Sequence, residues 1–187
     1  MEQAKRIRAA MDKGQRIKAA SEYIALGLFL FLLIVLQTTW VHAIKIGGVV
    51  PDLVLVFCIC FSLKQGTILS VCVSVLCGFL QDVCAMGPFF YDALLYLYIS
   101  AGCVWLSRRI FCRRKSMVIA CVFLATLFYG AALYGLQLIA LGVWPKGGVA
   151  VRSIFFGAAY HAIAAPVLYP VAARFAKRRS AHREKGA

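Results

Sequence analysis

Acidic side chains are scarce in this chain: seven Asp and Glu stand against 21 Lys and Arg. Several signatures of chemistry are missing altogether. No His-Glu-x-x-His, no Gly-x-Ser-x-Gly and no phosphate-cradling glycine loop occurs, which removes the common metalloprotease, serine-hydrolase and nucleotide-binding readings. There are eight cysteines but no Cys-x-x-Cys pair, and seven of the eight lie in or beside apolar runs. Thiols so placed behave as small hydrophobes, so packing is expected rather than metal or disulfide chemistry. The first apolar run begins near Tyr23 and is too long for a signal-peptide core, so no cleaved signal is expected.

What is present in excess is apolar surface. The chain is 63% hydrophobic, with a mean hydropathy of +0.83, more than a single water-soluble core can hide. An all-α polytopic membrane protein is the class this defines. The net charge of +14 does not point to nucleic acid, because nearly all the bases sit in an N-tail, one loop and a C-tail. Charges so placed are expected to face anionic lipid headgroups and to fix orientation.

Six apolar runs are legible, at about 23–44, 49–63, 67–86, 89–107, 117–143 and 150–173. The expected organisation is a basic tail over 1–22, a six-span domain over 23–173 and a second basic tail over 174–187. The run from Val49 to Leu63 is short for a bilayer with a hydrocarbon core of about 30 Å. Local thinning, snorkelling of Lys64 or burial between other helices would relieve it, and a five-span chain with this run re-entrant is the alternative. With six spans, 18 bases fall on one side, including Lys5, Arg6, Arg8, Lys64, the cluster at Arg108–Lys115 and the C-tail. Only Lys45, Lys146 and Arg152 fall on the other. The positive-inside rule then predicts both termini in the cytoplasm of a multi-pass membrane protein. The N-tail is compatible with a weakly amphipathic helix through Ile7, Met11, Gly14 and Ile17, or with a disordered basic tether.

Three acids lie in apolar surroundings: Asp52 opening the second span, Asp82 closing the third and Asp92 one turn into the fourth. The six-span threading brings all three to the external third of the bundle. Pro51 and Pro88 suit helix starts, and an acid in a first turn complements the helix dipole, so Asp52 and Asp92 have a capping explanation. Asp82 is at the end of its helix, where the dipole opposes an anion. It is therefore expected to need a partner, with Lys45, Arg152, His42, an external protein or a proton as candidates. The third span also carries Gly66, Ser70, Ser74, Gly78 and Asp82 at every fourth position, a ridge of small or polar side chains suited to close helix contact.

The segments "PDLVLVFCICFSLKQG" and "GFLQDVCAMGPFFYDALLY" resemble the MreD family of bacterial rod-shape-determining membrane proteins. The shared features are Pro51, Asp52 and Leu53 opening a span, Gly66 about a dozen residues on, then Gly78 and Asp82 closing the next span before a turn with Gly87. "LLIVLQTTWV", with a Gln near the end of the first span, is similar in style. The likeness covers about 36–107. Gln81 departs from it, since an apolar residue is usual before the Asp, and the charged N-tail is longer than the family's. The resemblance implies a non-enzymatic subunit of the cell-elongation complex, without a cofactor, supporting cell shape and lateral peptidoglycan synthesis. The implied direct partner is MreC. MreB filaments, RodA and a class B penicillin-binding protein follow through the complex. The residues above, with Asp92, become candidates for binding a partner or locking the bundle.

The family's fold is thought to be similar to the substrate-binding subunits of energy-coupling-factor vitamin transporters, and such a subunit is the main alternative. Those subunits often carry an Ala-x-x-x-Ala pair on the first span, and residues 23–44 hold none. An intramembrane aspartyl protease is a third class. Tyr91-Asp92 echoes half of its signature, but Gly-x-Gly-Asp is absent.

Overall fold

The computed structural model describes residues 2–39, 51–84, 91–109, 115–142 and 147–184. They form six helices: α1 (Glu2–Thr39), α2 (Leu53–Gln65), α3 (Ile68–Cys84), α4 (Tyr91–Arg109), α5 (Lys115–Leu141) and α6 (Gly147–Glu184). Three stretches are long and apolar enough to cross a bilayer by themselves: Ala20–Thr39, Ser116–Leu136 and Val151–Lys177. Helices α2 and α3 are apolar but shorter. The chain is thus an all-α, membrane-type bundle.

The short second run is accommodated by burial. Every residue from Val54 to Leu63 is buried, and α2 touches each of the other five helices. A helix apolar on all sides has no face to offer water, so the centre of a bundle is its natural place. The other helices form a jacket whose outer surface is apolar as well: Ile24, Phe31, Leu124, Phe128, Ile163 and Val167 are all exposed. Phe57 of α2 packs on Phe29 of α1 at 5.2 Å between ring centroids, and Phe29 in turn on Phe175 of α6 at 5.5 Å.

Both ends of α2 are locally encoded. Asp52 is the N-cap, and its side chain accepts from the Leu55 amide at 2.9 Å. Pro51 therefore stands just before the cap rather than inside the helix. Gly66 ends the helix with a left-handed φ of 60°, its N–H donating to the Ser62 carbonyl at 3.0 Å. Lys64 lies in the last turn, where the dipole favours a cation, with its ammonium 5.9 Å from the Tyr169 ring centre.

The ridge on α3 faces inward. Ser70, Ser74, Gly78 and Asp82 are buried, and α4 is the main neighbour of α3. Ser70 and Ser74 return their hydroxyl protons to carbonyls of their own chain, Thr67 at 2.6 Å and Ser70 at 2.9 Å. The ridge is a seam between helices of the same bundle.

Helices α1 and α6 both run beyond their apolar stretches. Of the alternatives for the N-tail, the structure has the helix: α1 is continuous from Glu2.

Candidate functional site: a polar knot over the buried helix

Asp52 is 8% exposed and meets donors from four sources. Its Oδ1 accepts from the Leu55 amide and from Gln37 Nε2 at 3.1 Å. Its Oδ2 accepts from the Tyr96 hydroxyl at 2.7 Å and from Gln81 Nε2 at 3.2 Å. An ionised carboxylate offers about four lone-pair directions, and all are used here. The backbone N–H of Asp52 donates to His161 Nε2 at 2.7 Å. One residue at the mouth of α2 therefore ties in α1, α3, α4 and α6.

The neighbours complete one another. Gln37 Oε1 accepts from the Val54 amide at 3.1 Å, satisfying a second free N–H of the first turn of α2. The Tyr96 hydroxyl, with a single proton, lies between Asp52 Oδ2 and Gln81 Oε1, the latter at 2.5 Å. Tyr96 also meets the Tyr129 ring edge-on at 6.1 Å, and Tyr129 donates to Asp92 Oδ1 at 2.7 Å, which brings in α5. Because His161 Nε2 is an acceptor, the ring is neutral and carries its proton on Nδ1. That Nδ1 is buried and meets no acceptor among the described residues.

The three acids do gather at one end of the bundle, but the expected cation for Asp82 is replaced by a helix end. Its Oδ2 accepts from the Ala93 amide at 2.9 Å and its Oδ1 from the Asp92 amide at 3.2 Å. The unsatisfied N–H groups and positive dipole end of α4 thus answer the anion that its own helix disfavours. Arg152 is exposed, its guanidinium 5.4 Å over the Phe156 ring. Lys45, His42 and Gly87 lie outside the described residues.

Above the knot is open space with a simple origin. Helix α2 is only about 20 Å long, and its cap meets His161, roughly 15 Å along α6 from Val151. The neighbouring helices continue past it. A cavity of about 280 Å³ remains over Pro51 and Asp52, walled by α5 from Thr126 to Tyr134 and by α6 from Ser153 to His161. Gln37 also lines it, and Tyr134 and Ser153 stand toward the ends of their helices. Among the described residues, no cluster of three or more His, Cys, Asp or Glu is placed to hold a metal.

The sequence singled out Asp52, and Gln37 and Gln81 only in passing. Tyr96, Tyr129 and His161 were missed. A lone histidine inside an apolar run was the available signal for the last of them.

Taken together, these features define a polytopic membrane protein built around a buried, polar-capped helix, with a cavity over the cap. The model of the family described as rod shape-determining protein MreD matches residues 20–179, and the chain belongs to that family. No curated protein and no solved structure matches it.

Proposed function

We propose that the protein is a non-enzymatic membrane subunit of the cell-elongation complex and that it binds MreC through the cavity over Asp52. Family membership supplies the role in shape determination. The observation that carries the site is the cavity itself: it is lined by polar and apolar groups together, and its floor is rigid because every acceptor position of Asp52 is occupied. Such a mixed, preformed recess suits a segment of a protein partner. The route to MreB, RodA and the class B penicillin-binding protein runs through MreC in this reading, and lateral peptidoglycan synthesis is the process supported.

Ser153→Trp tests it. Ser153 is half-buried at the cavity and is not among the donors that hold Asp52. The variant is expected to accumulate and melt like the wild type, yet to lose MreC in co-purification by roughly tenfold, the scale of a filled interface pocket, and to give rounded cells. Wild-type MreC recovery from a normally abundant variant would remove the cavity from the interface.

In this reading the basic tails and the cluster around Arg108–Arg109 are cytoplasmic, the knot lies toward the outside, and the domain divides into a tail over 1–22, spans over 23–173 and a tail over 174–187. Reporter fusions at Ala187 and Arg113 should then report the cytoplasm and one at Gly87 the exterior. An external signal at Ala187 would overturn the topology.

A further inference from the structure

We propose that the cavity over Asp52 recognises an uncharged carbonyl oxygen of the segment it binds, which accepts a hydrogen bond from His161 Nδ1. This rests on the reading of the cavity as the MreC site and names the chemistry by which that site selects its occupant. His161 is 6% exposed and lines the cavity. Its Nε2 is spent on the Asp52 amide, so the ring proton is on Nδ1. That proton meets no acceptor among the described residues, and the atom is closed to bulk water. A buried N–H without an acceptor is costly and rare in folded proteins, so its acceptor is to be sought in what the cavity holds. Ser62 Oγ, Gln65 Oε1 and Thr67 Oγ1 are also buried without a partner, but they lie around the other end of α2 and do not line the cavity.

The groups around His161 decide what kind of acceptor it takes. Every acceptor direction of Asp52 is filled, so a cation would find no free carboxylate lone pair and would face an N–H. An anion would join Asp52, Asp82 and Asp92 at one end of the bundle, and no Lys or Arg lines the cavity among the described residues. The hydroxyls of Thr126 and Tyr129 already give their protons, to the Val122 carbonyl and to Asp92. A water accepts from Nδ1 but brings two protons that need acceptors, and Asp52 supplies none. A carbonyl oxygen accepts and brings no proton.

The wall beside His161 also lets a main chain come close. Gly157 and Ala158 precede it by four and three residues, share its face of α6, and line the cavity as buried positions. No bulky side chain at these two positions holds a bound segment away from the imidazole.

The test measures MreC binding to the full-length protein in lipid nanodiscs. His161→Nδ1-methylhistidine keeps Nε2 for the Asp52 amide and replaces the free N–H by a methyl group. It is expected to bind MreC roughly tenfold more weakly, the scale of one lost buried hydrogen bond. A second measurement leaves His161 intact: in protein labelled with [15N]histidine, its Nδ1–H proton resonance should move downfield when MreC binds. The H42Q/H182Q protein, with His161 as its remaining histidine, assigns that resonance. Ser153→Trp is measured alongside. Loss of MreC in Ser153→Trp with wild-type binding by the methylated protein overturns the carbonyl contact and leaves the cavity as the interface. Wild-type binding by Ser153→Trp removes the cavity reading and this inference with it. A His161 resonance that MreC leaves in place also overturns the contact, and is the result expected if water answers Nδ1.

Discussion

Gly78→Leu is expected to abolish the accumulation of folded protein. A Cβ built on Gly78 would lie 2.8 Å from Ala93 Cα and 2.8 Å from the Asp92 carbonyl oxygen. These are backbone atoms of α4 and cannot rotate aside. Helices α3 and α4 would have to separate, and the amides of Asp92 and Ala93 would then withdraw from Asp82. Overpacking alone costs about 1–3 kcal/mol, and leaving a buried carboxylate without its donors adds a comparable amount or more. Even Gly78→Ala should lower the melting temperature in detergent measurably. Gly102→Ala is the matched control, since a Cβ there meets nothing within 4 Å. Size-exclusion profiles after heating would show the difference. A Gly78→Leu protein that melts with the wild type would contradict the contact.

Asp52→Ala should be the next most damaging change, and Asp52→Asn clearly milder. Alanine leaves the Leu55 amide, Gln37 and Gln81 without an acceptor in a buried site. Each stranded donor costs about 1–3 kcal/mol, and loss of an N-cap is worth about 1 kcal/mol by itself. These costs overlap, but a loss of several kcal/mol is expected, enough to deplete the protein in cells. Asparagine keeps one oxygen for Leu55 and Gln37 and presents an amide where Oδ2 was, so that of the three stranded donors only Gln81 Nε2 loses its acceptor. The Tyr96 proton can then pass wholly to Gln81 Oε1, already its second acceptor, while the hydroxyl oxygen accepts from the new amide. The order of melting temperatures, wild type above Asn above Ala, checks the scheme. Equal losses for Asn and Ala would show that charge, rather than hydrogen-bond satisfaction, governs the site.

The architecture was legible because hydropathy and punctuation agree. The short apolar run opened by Pro51-Asp52 reads as a capped helix, and its deficit in length left burial between other helices as one of several ways to relieve it, the one the structure takes. The ridge from Ser70 to Asp82 was visible as a four-residue spacing, while Gly66, expected as its first position, instead caps α2 ahead of α3. That the ridge faces α4 rather than a partner was not visible, because spacing marks a face without saying what lies against it. The partner of Asp82 left no trace for a simple reason. A carboxylate held by backbone amides needs no complementary side chain, so a search for Lys or Arg looks in the wrong place. Tyr96 and Tyr129 were silent because tyrosine in an apolar run is equally at home at a lipid interface. Gln81 reads as a departure from the family pattern, and the structure gives its use: it donates to Asp52 and accepts from Tyr96.

The central position of α2 also bears on how the chain is assembled as it is made. A helix surrounded by five others is finished only when the last has arrived, and here the last supplies His161, which receives the Asp52 amide. A nascent chain halted before α6 has one flank of its central post bare and a buried backbone donor without its acceptor. Completion is thereby written into the first turn of α2 as a single hydrogen bond spanning 109 residues of sequence, so an unfinished chain differs from a finished one in the part made early as well as in the part still missing.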